Sequence, residues 1–341
     1  MNTLFLKATE ESIKEAAQVL KQGGLCALPT ETVYGLGANG FDPQAVANIF
    51  TAKGRPQDNP LILHIADWEM LLPLVTEIPP AAKALAKAFW PGPLTMIFKR
   101  SDLVPDAVTA GLDTVAIRMP ASPVMQEVIR QAGVPVAAPS ANRSGKPSPT
   151  TAQHVADDLD GRIDLILDGG ACAIGLESTV ISLVGTPTLL RPGGVTLENL
   201  RSILGRVDVD PAIYGAHTER PLAPGMKYRH YAPNGAVTVV RGEKESVVRY
   251  IKDALTEAQQ KTAVLAPDGY FAEGDADLIL NLGTDAATAA QRLFAALRAC
   301  DDAGIGQIFA VDGDEAGIGL ALCNRLHKAA GFQIIRLEES L

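Results

Sequence analysis

The chain has 341 residues, more than the usual ~100–200 of a single domain, which points to two domains. With 47% hydrophobic and 20% charged residues it has the composition of a globular protein, which excludes disordered, collagen-like and coiled-coil classes. The net charge of −9 counts against a broad grip on nucleic acid, which needs many cations on phosphates.

The start, Met1-Asn2-Thr3-Leu4-Phe5-Leu6-Lys7, lacks the basic opening and apolar run of a signal peptide, and no apolar stretch approaches ~18 residues. A cytoplasmic location without a membrane span is expected. Cys26, Cys172, Cys300 and Cys323 are far apart with no Cys-x-x-Cys, so they read as small core residues.

Glu11–Gln22 has helical spacing and a Gly-Gly stop, and Leu25–Leu28 reads as a short strand. Gly35-Leu36-Gly37-Ala38-Asn39-Gly40 matches the dinucleotide fingerprint literally, but no helix opens on it, so it reads as a glycine-rich turn. Asp42-Pro43 caps a helix toward Lys53. Strands are predicted at 61–65, 94–98, 115–118, 134–137, 165–167 and 178–183, with helices at 81–88 and 123–131. Residues 1–207 thus form one α/β domain on a mixed sheet of about seven strands. Residues 208–234 have no apolar period and read as a linker. From residue 235 a β/α alternation restarts, and a smaller three-layer, Rossmann-like and largely parallel domain is expected. Acidity gathers there, with 10 Lys and Arg against 16 Asp and Glu, compared with 17 against 20 through residue 207.

Lys53-Gly54-Arg55 ends a helix, where the plain reading is a solvated basic cap favoured by the helix dipole. The loop Pro139-Ser140-Ala141-Asn142-Arg143-Ser144-Gly145-Lys146-Pro147-Ser148 carries hydroxyls, an amide and cations that suit phosphate oxygens. Thr32, His64, Arg118, Ser178 and Arg191 recur at strand edges. A strand-end arginine needs a counter-anion or water, and Pro192-Gly193 would hold Arg191 rigidly. Together these donors suggest a pocket for a polyanion plus a small carboxylate. No Gly-x-Ser-x-Gly, His-Glu-x-x-His or Walker loop occurs, so an enzyme acting on phosphates here would work by positioning and charge stabilisation.

In order, Pro29-Thr30-Glu31-Thr32-Val33-Tyr34-Gly35-Leu36, Lys53-Gly54-Arg55, Pro139-Ser140-Ala141-Asn142, Gly175-Leu176-Glu177-Ser178-Thr179-Val180 and Arg191-Pro192-Gly193 resemble the threonylcarbamoyl-AMP synthase family with its YrdC-like domain. Pro224–Pro233 and the following domain resemble its two-domain form. The resemblance implies synthesis of threonylcarbamoyl-AMP and pyrophosphate from L-threonine, bicarbonate and ATP with Mg²⁺. Other proteins would then transfer the product to tRNA, with no stable tRNA binding by this chain. It implies that Lys53, Arg55, Asn59, Ser140, Asn142, Ser148 and Arg191 hold ATP, with Lys53 and Arg55 catalytic. Thr32, His64, Arg118 and Ser178 would surround threonine, and Tyr231 would close over the nucleotide as part of a lid. No protein metal ligands are expected. The alternatives are an RNA-binding module, which the charge disfavours, and a carbamoyltransferase of related domain type. Leu322-Cys323-Asn324-Arg325-Leu326 has no chemical role on the sequence alone.

Overall fold

The computed structural model describes residues 2–215 and 231–337. The chain forms two units: one runs to Ser144 and resumes at Ser148, and the other takes Gly145–Pro147 and the chain from Tyr231 on.

The first unit opens with β1 (Leu4–Lys7) and α1 (Glu10–Lys21). Thr9 caps α1 in a reciprocal box with Ser12, and Ala16, Ala17 and Leu20 repeat on one buried face. Next come β2 (Cys26–Leu28), β3 (Gly35–Asn39), α2 (Pro43–Lys53), β4 (Ile62–His64), α3 (Pro80–Phe89), β5 (Leu94–Lys99) and α4 (Asp106–Thr109). They are followed by β6 (Thr114–Arg118), α5 (Pro123–Ala132), β7 (Val136–Ala137), α6 (Ala152–Leu159), β8 (Leu165–Asp168) and β9 (Thr179–Ser182). β10 (Thr188–Arg191), α7 (Leu197–Leu204) and β11 (Asp208–Val209) complete the unit's helices and strands. The eleven strands make one sheet in the order β1-β8-β2-β3-β7-β4-β6-β5-β9-β10-β11. It is mixed: β4 and β6 run parallel, whereas β5 and β6 run antiparallel. One core joins Leu20 of α1 and Met125, Val128 and Ile129 of α5 to Leu28, Leu165 and Leu167 of the sheet.

Eleven strands exceed the seven expected. β1, β10 and β11 sit at or near the sheet edges, and β3 was hidden by its glycines, which ordinary strand propensity disfavours. Gly35–Asn39 is a strand and not a turn. A Cβ on Gly37 would lie 2.8 Å from Val136 Cγ1 on β7, so the close approach of the strands requires glycine there. The same placement removes the dinucleotide fingerprint, whose glycines must open a helix.

The second unit comprises β12 (Ala236–Arg241), α8 (Lys244–Glu257), β13 (Thr262–Ala266), β14 (Leu278–Asn281), α9 (Ala286–Asp302), β15 (Gln307–Val311), α10 (Gly319–Ala329) and β16 (Ile334–Arg336). Its sheet, ordered β14-β13-β15-β12-β16, is parallel throughout. All five residues of β13 are buried, as expected of a parallel strand covered on both faces.

The sequence places the linker start at residue 208, but Asp208–Val209 pairs with β10 and a short 3₁₀ turn follows at Pro211–Tyr214. Residues 216–230, which carry most of the Pro224–Pro233 motif, lie outside the described residues. The four cysteines are free thiols in the interior. Among the described residues no helix is long and apolar enough to cross a membrane.

Candidate active site

Asp42 accepts from the N–H groups of Gln44 and Ala45 and so starts α2, and Gly54 ends it in the left-handed region at φ 63°. That ending turns Lys53 inward. Its ammonium donates to the carbonyl oxygens of Ser140 and Asn142, each at 2.5 Å, and to Asn142 Oδ1 at 3.3 Å. The solvated-cap expectation is therefore wrong for Lys53, because buried carbonyls outcompete water for its protons. Ser140 Oγ donates to Asn142 Oδ1 at 2.6 Å, and Ser144 N–H returns to the Lys53 carbonyl at 3.0 Å. Arg55 is half-buried with its guanidinium 5.8 Å from the Phe50 ring centre. Asn59 is buried and donates to Asp58, while its Oδ1 has no hydrogen-bond partner among the described residues.

The segment after β2 turns on Thr30, whose hydroxyl accepts from the N–H groups of Thr32 and Val33. Backbone bonds then stitch it to its surroundings: Ala141 N–H to Tyr34 O, Tyr34 N–H to Pro149 O and Ile174 N–H to Glu31 O. Thus Thr32 is held next to Arg118, the last residue of β6. In register, Arg118 lies beside His64 of β4 and Thr95 of β5. Its Nη1 donates to Thr32 Oγ1 at 2.9 Å and its Nε to Gly92 O at 3.2 Å, while Nη2 pairs with Glu31 Oε1 at 2.7 Å. Burial pushes the Glu31 carboxyl up, but the Arg118 guanidinium outweighs it and holds the group below the usual range. Burial, and after it the Arg118 charge, pushes His64 down to about 3, so its imidazole is neutral near pH 7.

Arg191 ends β10, and the turn that follows sets its neighbourhood. A Cβ on Gly193 would lie 2.6 Å from Glu177 O and from the Ser178 carbonyl carbon, so glycine alone lets the two segments meet. There Arg191 donates from Nε to Ser178 O at 3.0 Å and from Nη2 to Ser178 Oγ at 3.1 Å. Ser178 Oγ lies 2.8 Å from Thr95 Oγ1, and Ser148 Oγ donates to Glu177 Oε1 at 2.5 Å.

The structure therefore joins Lys53, Ser140 and Asn142 in one network, Thr32 and Arg118 in a second, and Ser178 and Arg191 in a third. His64 is linked to Arg118 through the sheet, and Arg55 and Asn59 sit on the loop after α2. Tyr231 lies in the second unit with 6% exposure, its ring 5.2 Å from that of Phe294 and beneath the Arg325 guanidinium at 5.6 Å. Arg325 is fully buried and also donates to Asn324 Oδ1 at 2.8 Å. Sequence reasoning missed Glu31, Thr95 and Glu177 as site groups. The first and last stand inside quoted motifs, but Thr95 has no sequence signal beyond alternation on β5. Among the described residues no group of three or more His, Cys, Asp or Glu side chains could hold a metal.

The family described as "Telomere recombination" matches residues 18–193, and the threonylcarbamoyl-AMP synthase C-terminal domain matches residues 195–331. The threonylcarbamoyl-AMP synthase of Pyrococcus abyssi is 50% identical over 332 residues, 96% of either chain. That of Bacillus subtilis is 46% identical over 335 residues, 97% of this chain and 96% of the relative. The crystal structure of P. abyssi Sua5 complexed with L-threonine matches with a TM-score of 0.95 at 48% identity, covering 99% of this chain and all of that one.

Proposed function

The chain belongs to the threonylcarbamoyl-AMP synthase family, and we propose from that membership a division of roles among its residues. The enzyme makes threonylcarbamoyl-AMP from L-threonine and ATP. Bicarbonate supplies the remaining carbon. The threonine amine and bicarbonate give a carbamate and water, and the carbamate oxygen bonds to the α-phosphorus of ATP as the bond to the leaving pyrophosphate breaks.

In this reading Thr32, His64, Arg118 and Ser178 surround threonine, and Arg55, Asn59, Ser140, Asn142, Ser148 and Arg191 receive the nucleotide. Lys53 and Arg55 provide catalytic charge, Lys53 from behind the loop whose carbonyls it grips. Negative charge gathers on phosphate oxygens during the transfer, and fixed cations stabilise it without a covalent intermediate. Mg²⁺ would arrive on the triphosphate, which supplies most of its oxygen ligands. When bound, the ion would offset charge on the phosphates.

Residues 1–207 carry this chemistry and residues 235–341 form the second domain, against whose Phe294 Tyr231 packs. The product then passes to other proteins that transfer it to tRNA, and the enzyme works in the cytoplasm without a stable tRNA complex.

The observation that carries this assignment is the pair of hydrogen bonds from Arg191 to Ser178, one residue from each proposed half of the pocket. Its test is pyrophosphate release with ATP, threonine, bicarbonate and a divalent cation, each omitted in turn. Release should need all four, and equal release without threonine would sink the assignment.

A further inference from the structure

We propose that Glu31 is the group that takes the amine of L-threonine, while Arg118 takes its carboxylate. This rests on the assignment of Arg118 to the threonine site. The amine of an α-amino acid is two bonds from its carboxyl carbon, so whatever lies against the carboxylate-binding group is within reach of the amine. Glu31 is in that position, with Oε1 2.7 Å from Arg118 Nη2.

Donor counting supports the geometry. A guanidinium has five N–H donors. Among the described residues Gly92 O and Thr32 Oγ1 accept one each, and Nη2 meets Glu31 Oε1 as an ion pair without a hydrogen bond, so a donor remains on each terminal nitrogen. That pair is the fork that grips a carboxylate at two points. Glu31 keeps acceptor capacity too, since a carboxylate oxygen offers two lone pairs. Both Glu31 carboxylate oxygens are buried and have no hydrogen-bond partner among the described residues.

Charge balance gives the reason for such an arrangement. Arg118 alone could hold the carboxylate, but the ammonium would then enter a closed site without a counter-ion, at a large desolvation cost. With Glu31 present, the zwitterion adds one charge of each sign to an existing pair, and the four alternate. His64, the other ionisable side chain beside Arg118 in the sheet, is neutral and leaves this balance intact. Glu31 is further held in place by its own backbone, whose carbonyl accepts from Ile174 N–H at 2.8 Å.

The test is calorimetric binding of L-threonine and of 2,3-dihydroxybutanoate, the analogue with a hydroxyl in place of the amine, to the full chain. The wild type should prefer threonine by about 10²-fold, the usual scale for a buried charge partner. In Glu31→Gln the two ligands should bind within about tenfold of each other, and Glu31→Asp should restore part of the preference. Equal binding of both ligands by the wild type would overturn the proposal without any variant, should Glu31→Gln fail to fold. So would undiminished preference in a folded Glu31→Gln, or loss of both ligands by the same factor, which would make Glu31 only a support for Arg118. A wild type that binds no threonine at all would instead overturn the assignment of the site.

Discussion

Arg191 donates from Nε to the carbonyl oxygen of Ser178 and from Nη2 to its hydroxyl, at 3.0 and 3.1 Å. The same hydroxyl lies 2.8 Å from that of Thr95, whose neighbour across the sheet is Arg118. One serine therefore touches the proposed nucleotide arginine and is one strand from the proposed threonine arginine. In Ser178→Ala, steady-state kinetics should show KM rising for ATP and threonine together, by about tenfold or more each, since a buried hydrogen bond to a charged group is worth ~1.5–3 kcal/mol. A rise for threonine alone would show that Arg191 does not depend on this contact. Thr95→Val, which keeps the shape and loses one hydroxyl, should have the same pattern at smaller size.

The two cations flanking Gly54 should behave differently. Lys53→Met leaves the Ser140 and Asn142 carbonyls without their donor, so it should lower stability by about 2–4 kcal/mol in denaturant unfolding. Arg55→Ala should keep the fold and reduce turnover by about 10²–10³. Arg55→Lys should also be impaired if the contact is bidentate. Wild-type unfolding of Lys53→Met would return that residue to a solvated cap.

Tyr231 holds a left-handed backbone conformation at φ 67°, costly for a bulky residue and sustained by packing against Phe294 and Arg325. A lid residue that only visits a nucleotide could be truncated without cost to the fold. Buried as it is, Tyr231→Ala should destabilise the protein by about 3–5 kcal/mol in thermal unfolding. An unchanged melting temperature in Tyr231→Ala would mean that this packing is dispensable.

His64 makes stability depend on pH. Its folded pKa, about 3, lies below the unfolded value near 6.5, so the unfolded chain binds the proton more tightly. The contribution is full above pH 6.5 and is lost as pH falls through the window down to about 3. Between pH 6.5 and 5, where most carboxylates stay ionised, His64 should account for about 2 kcal/mol of lost stability. His64→Gln should flatten that part of the pH profile in urea titrations. An identical slope in the variant would show that His64 is protonated in the folded protein.

Much of the protein was legible in one dimension because its signals are local. The α1 cap and its buried stripe, the Asp42-Pro43 start of α2, and the β/α alternation after residue 235 each depend on neighbours a few positions apart. The ordered motifs likewise pointed to the family, since residue type and spacing are properties of the chain alone. Tertiary structure decided the rest. That Gly35–Asn39 is a strand depends on Val136, about a hundred residues away, and the inward turn of Lys53 depends on the carbonyls of Ser140 and Asn142. Glu31 became a site residue only when the sheet brought Arg118 to it, and Arg325 met the ring of Tyr231 only through folding. In each case the deciding energy is desolvation: a buried charge or a close strand contact is tolerable only with a specific partner, and folding rather than sequence proximity supplies that partner.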